Sequence, residues 1–213
     1  MMKLNRQALS LPLALLLVLV QCLPAAAQAQ GGAAAAQGSV PQIQFEKYTL
    51  PNGLRVILHV DRKLPVVHVN QWFHVGSKNE RAGRSGFAHL FEHMMFQGSK
   101  NATKEYFDYV EAAGANLFEG GVNGTTNQDR TNYFATVPSG NLENLLWVEA
   151  DRLATLPDAL TKEKLDNQRD VVKNERRQGL ENQPYARWFQ LLVENLFPPR
   201  PPYNTDVIGL HED

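Results

Sequence analysis

GFAHLFEHMMFQGS, residues 86–99, sets two histidines and a glutamate among phenylalanines, methionines and a leucine. On an α-helix each residue advances about 100°, so His93 falls about 40° and Glu92 about 60° to either side of His89. The three polar groups therefore share one stripe. Phe87, Leu90, Phe91, Met94 and Met95 cover the opposite arc, with Phe96 close to the stripe itself. A helix from about Ser85 to Gln97 that is apolar on most sides is expected to be buried, and its polar stripe then needs partners inside the protein.

The spacing H-x-x-E-H is the reverse of H-E-x-x-H and is a zinc-peptidase spacing. Histidines four apart can turn one nitrogen each towards a single tetrahedral ion, at about 2.0 Å. A glutamate between them is free to take a proton from water rather than to ligate. The bland alternative is a pair of hydrogen-bonded core histidines, but burial independently asks for a partner.

Two histidines are too few, because a catalytic zinc usually has three protein ligands. On "TKEKLDNQRDVVKNERRQGL" (residues 161–180), Glu175 shares a helical face with Leu165, Gln168, Val171, Val172 and Gly179. Lys162, Asp166, Arg169, Asp170, Lys173 and Arg177 crowd the far side. A carboxylate on the apolar face of an amphipathic helix wants a cation beneath it. A buried salt bridge to a distant arginine is the alternative from this helix alone, and His74, just before the motif helix, is the rival ligand.

Around these helices the pattern alternates between strand and helix. "FEKYTLPNGLRVILHV" (45–60) reads as a hairpin turning at Pro51-Asn52-Gly53, and "PVVHVNQWFHVGS" (65–77) as a third strand. "TKEYFDYVEAAG" (103–114) is a helix closed by Gly114. "ANLFEGGVNGTTNQDRTNYFATVP" (115–138) reads as strand, glycine-rich turn, strand, and "NLENLLWVEADRLATL" (141–156) as a helix ending near Pro157. The 161–180 helix and "YARWFQLLVENLF" (185–197) follow. Hairpins with helices between them give an α+β fold, a mostly antiparallel sheet covered by helices.

The first 29 residues stand apart. Lys3 and Arg6 precede an apolar run at residues 8–20, and small residues follow up to Ala27 and Ala29. That is a secretory signal peptide, too short in its apolar part to span a bilayer comfortably. The single cysteine, Cys22, lies inside it, so the mature chain has no thiol chemistry and no disulfides. Residues 30–44 begin with a low-complexity run of Gln, Gly and Ala and read as a flexible linker, leaving 45–213 as the structured domain. With 21 basic against 22 acidic residues, and no basic patch interleaved with aromatics, nothing points to nucleic acid.

Taken together, "QWFHVGSKNERAGRSGFAHLFEHMMFQGS", "GANLFEGGVNGTTNQDRTNYFATVP" and "QRDVVKNERRQ" resemble, in order, the insulinase/pitrilysin family of inverzincin metallopeptidases, which includes the mitochondrial processing peptidase and exported bacterial relatives. The resemblance runs from about Phe45 to the end of the sequence. It implies His89 and His93 as zinc ligands, Glu92 as general base, and a third ligand on a later helix, for which Glu175 is the match. It also implies that the strand holding "VNGTT" lies beside the metal and pairs with extended substrate, making Asn123 a candidate substrate contact; read alone, Asn123 is equally a turn asparagine. One departure is Gln168, at a position often acidic in the family.

The expected function is an exported zinc-dependent endopeptidase acting on peptides or unfolded segments, periplasmic or secreted, with no membrane span after signal removal. Family members enclose substrate between homologous halves, so 45–213 is expected to be an N-terminal half-domain, truncated at its C-terminal end, that needs a second homologous domain or partner chain. A zinc-binding but non-proteolytic fragment or partner subunit is the alternative.

Overall fold

The computed structural model describes residues 42–197, 202–203 and 206–213, so the signal-peptide reading and most of the linker lie outside the described residues. The chain divides into two compact units, residues 1–60 and 61–213. The described part of the first is a hairpin of β1 (Glu46–Thr49) and β2 (Arg55–Leu58), antiparallel with Glu46 opposite Leu58 and Thr49 opposite Arg55. Its turn is closed by the Gly53 amide donating to the Leu50 carbonyl at 2.9 Å, with Gly53 at φ +88°. That left-handed conformation suits glycine, which has no Cβ to clash.

Among the described residues, the second unit holds a three-stranded antiparallel sheet and five α-helices. The strands are β3 (Val66–Phe73), β4 (Val122–Thr126) and β5 (Thr131–Pro138), ordered β3-β5-β4, so β4 is an edge. The helices are α1 (Phe87–Met94), α2 (Tyr106–Ala112), α3 (Leu142–Ala159), α4 (Lys162–Arg176) and α5 (Trp188–Leu196). A single wide turn, Arg177–Glu181, continues α4. Thr161 caps α4 by accepting from the Lys164 amide, and Gly114 at φ +86° ends α2.

The strand register decides which face meets the core. Val67, Val69, Gln71 and Phe73 lie opposite Val137, Ala135, Tyr133 and Thr131, while Val122, Gly124 and Thr126 extend the same face on β4. Tyr133, Ala135, Val137 and Val122 pack there with Met95, Phe96, Tyr106, Val110, Leu145, Val148 and Leu156. Inside this core Arg152 sits over the rings of Tyr106 and Tyr133 and pairs with Glu149 at 2.6 Å, both ends buried. The Tyr106 hydroxyl donates to the same Glu149 at 2.5 Å and Arg152 Nε donates to it at 2.8 Å, so the buried carboxylate is matched by a cation and two donors.

Three expectations are corrected. Residues 115–121 are turn rather than strand: β4 begins at Val122, and the reversal is Asn127–Arg130, where the Asn127 side chain accepts the Asp129 and Arg130 amides at 2.8 and 2.9 Å. An asparagine that bonds to its own downstream backbone builds such a turn without glycine. α3 runs on to Ala159 with Pro157 in its last turn. Finally, α1 is buried on one side only. Ala88, Glu92 and Met94 are covered, whereas Phe87 and Phe91 are 40% and 50% exposed and line an open apolar groove with Phe73, Val75 and Tyr133.

Candidate metal centre

α1 is aimed by its first turn. Gly86 caps it at φ +83°, and its amide and that of Ala88 donate to the Glu80 carboxylate at 2.9 and 2.8 Å. This satisfies helix-end donors that would otherwise be orphaned. One turn on, His89 and His93 stand edge to face with ring centroids 4.8 Å apart. α4 packs against α1 and carries Glu175 to them: its Oε2 lies 3.3 Å from His93 Nε2 and 3.7 Å from His89 Nε2. One ligand atom from each of the three lies within 4.8 Å of the others, the only such cluster found among the described residues. The rival His74 is exposed and takes no part.

Electrostatics follow from that geometry. Burial pulls the His93 imidazole down, but the Glu175 hydrogen bond and charge outweigh it and hold the ring above its ordinary value. Burial wins at His89, which is lowered despite the same carboxylate. The His93 hydrogen bond keeps Glu175 below the ordinary carboxylate range. Glu175 is half-exposed rather than sealed, because α4 buries only Gln168 and Val172 of its apolar face and leaves Leu165 and Val171 open.

Glu92 points elsewhere, into the sheet. It is buried, and its Oε2 accepts a 2.5 Å hydrogen bond from the Thr126 hydroxyl. A Cβ at Gly124 would stand 2.9 Å from both Glu92 Cγ and Oε1. The glycine is therefore in a strand because the carboxylate lies against its bare backbone. Thr126 and Gly124 were not singled out in the sequence; their only signal was their place, two apart, on the strand after the glycine-rich turn. Gln168 is buried beside His93.

All of these groups line one cavity of about 930 Å³, with Asn123, Phe96, Phe107, Asp206 and others. Asn123 is in a strand, not a turn, exposed on the opposite sheet face from Glu92, with its own side chain accepting the Gly124 amide at 2.9 Å. The lining includes Glu92, Glu105, Glu175 and Asp206 but no lysine or arginine. Asp206 is paired with Arg176 behind the wall, which leaves Glu92, Glu105 and Glu175 beside the two imidazoles with no basic side chain in the lining. That arrangement fits a bound cation, and two histidines with a carboxylate are a zinc donor set.

Comparison with known proteins agrees. The sequence profile of the insulinase family, peptidase family M16, matches residues 55–200. The zinc protease PqqE of Helicobacter pylori is 33% identical over 184 residues, 86% of this chain and 39% of that protein. A protease of known structure from Helicobacter pylori superposes with a TM-score of 0.69 at 30% identity, over 80% of this chain and 40% of its own. The periplasmic protease PqqL from Escherichia coli does so with a TM-score of 0.69 at 26% identity, over 81% of this chain and 19% of its own. The chain thus spans less than half the length of these relatives. Donor set and relatives agree on zinc as the cofactor.

Proposed function

The chain belongs to the insulinase family, peptidase family M16, and from that premise we propose that it carries the zinc-bearing half of an exported endopeptidase, with His89, His93 and Glu175 holding the metal and Glu92 acting as general base. The observation that carries the reading is the meeting of the Glu175 carboxylate with both imidazoles beside a buried, separately held Glu92.

Bound zinc would supply Lewis acidity, polarising a scissile carbonyl and acidifying a water towards neutral pH. The chain's own groups do the rest. His89 and His93 present Nε2 and Glu175 its Oε2 on one side of the cavity. Glu92, whose Oε2 is taken by Thr126, uses Oε1 to receive the proton of the attacking water and pass it to the leaving amine. β4 is an edge strand, so an extended peptide can add to it through main-chain hydrogen bonds, with Asn123 as a contact beside the reacting bond.

Substrates are peptides or unfolded segments, which alone reach an edge strand in extended form. Because the relatives are more than twice as long, a second homologous domain or a partner chain completes the enclosure. Export is supported by the N-terminal signal pattern and by the periplasmic location named for PqqL, and no helix among the described residues is long and apolar enough to cross a membrane.

Glu92→Gln separates the roles. The variant should bind zinc as the wild type does and lose cleavage of an unstructured reporter peptide, by about 10²–10⁴-fold for a lost general base. His89→Ala and Glu175→Gln should instead lose the metal. Near-normal turnover by Glu92→Gln would remove Glu92 from the mechanism.

A further inference from the structure

The ligands sit on two helices, so the site exists only while α1 and α4 hold one register. A segment outside both helices ties their ends together. Arg176, immediately after Glu175, is almost fully buried at its side chain, 11% exposed. Its Nη1 donates to Asp206 Oδ2 at 2.7 Å and to the Gly209 carbonyl at 2.5 Å. Gly209 in turn lies on Gly86, the cap of α1: a Cβ on Gly209 would stand 2.6 Å from the Gly86 Cα, and one on Gly86 would stand 2.7 Å from the Ile208 carbonyl oxygen. Both glycines have positive φ, +80° and +83°. Beside them the Leu210 amide donates to Ser85 Oγ at 3.0 Å, and Ser85 donates from its amide and hydroxyl to Asp213 at 3.0 and 2.6 Å.

We propose that Arg176 and residues 206–213 form a brace that positions Glu175 against the two histidines, Arg176 acting as a positioning residue for the metal rather than as a ligand. The inference rests on the zinc site proposed above. Its chemistry is simple. The two N–H groups of Nη1 satisfy a carboxylate and a carbonyl at once, and the guanidinium keeps its charge at any working pH. The contact of two bare glycine backbones leaves no slack for α1 to slide. Asp206, Val207 and Ile208 also line the metal cavity, so the brace forms part of its wall. Coupling of this kind is reciprocal: if the brace tightens zinc, zinc tightens the brace.

Two substitutions cut the brace at opposite ends without touching a ligand. Arg176→Gln removes the guanidinium that joins Asp206 to the Gly209 carbonyl, and Gly209→Ala forces the Gly86 contact apart. Each folded variant, checked by circular dichroism, is expected to bind zinc about 10- to 100-fold more weakly than the wild type, the usual loss when support behind a ligand is removed. Arg177→Gln, at an exposed neighbour, serves as control and keeps wild-type affinity. In the wild type, zinc should slow hydrogen exchange at the Leu210 amide. A folded Arg176→Gln or Gly209→Ala chain with unchanged zinc affinity overturns the brace, as does Leu210 exchange indifferent to zinc. A wild type that takes up no more zinc than His89→Ala overturns the metal site itself, and the brace with it.

Discussion

Glu92 is fixed by two neighbours on one strand, one through a hydrogen bond and the other through having no side chain. Thr126→Val keeps shape but removes the donor, leaving a buried carboxylate oxygen without its partner. Such a loss costs about 1–3 kcal/mol, measurable as a lowered urea midpoint of the zinc-free chain, and Thr126→Ser should restore most of it. Gly124→Ala acts by volume: its Cβ would lie 2.9 Å from Glu92 Cγ and Oε1 and must push the carboxylate aside. Zinc should remain bound while peptide turnover falls, and turnover equal to wild type would mean that Glu92 moves freely enough not to need the gap. At this scale the sequence was legible where chemistry demands a fixed spacing. His89, Glu92 and His93 lie within five consecutive positions, and Glu175 betrayed itself as a carboxylate on the wrong face of α4. Thr126 was not legible, because a threonine in a strand is ordinary until the register shows what its hydroxyl meets.

The helices depend on fastenings that hydrophobic patterning does not encode. Asp151 of α3 is the clearest: it accepts from Ser99 Oγ at 2.5 Å, from the Asn101 side chain at 2.6 Å, and from the Asn101 and Ala102 amides, both at 3.1 Å. It thereby pins the turn that leads from α1 into α2. These bonds, Ser99 first and then Asn101, hold its carboxyl far below the usual range. A depressed folded-state pKa contributes stability that is fully present above the unfolded value, about 3.9, and is lost as pH falls below it. The urea midpoint of the wild type should therefore exceed that of Asp151→Asn at neutral pH, and the gap should narrow as the pH is lowered through about 4 towards 2. A gap independent of pH would mean that the bonds, not the charge, carry the effect. Among elements, periodicity located the five α-helices of the described residues, and the Pro51-Asn52-Gly53 signal located the first hairpin. It misplaced β4 because Gly120, Gly121 and Gly124 looked like one turn, whereas only a carboxylate packed on the strand explains the last of them. It also buried Phe87 and Phe91, since an apolar arc does not reveal that it faces an open groove.

At the scale of the whole chain, every group assigned to the metal or its cavity lies in the unit formed by residues 61–213. The helices that carry the proposed ligands, the strand that holds Glu92, and Arg176 with residues 206–213 all belong to that unit. Zinc binding is accordingly expected to survive removal of residues 1–60. A chain beginning at Asp61 should take up close to one zinc, and its melting temperature should rise with zinc concentration, because a ligand that binds only the folded state stabilises it in proportion to the logarithm of its excess. Peptide cleavage need not follow the metal. A zinc site is local to two helices, whereas enclosing an extended substrate requires surface on both sides of it, and this chain covers only 39% of the zinc protease it matches. If the shortened chain folds but loses zinc, the expectation that the metal centre is contained in residues 61–213 fails. If it keeps zinc yet cleaves nothing until the remaining part of the enzyme is added, the metal centre and the substrate enclosure are separable functions of separate parts.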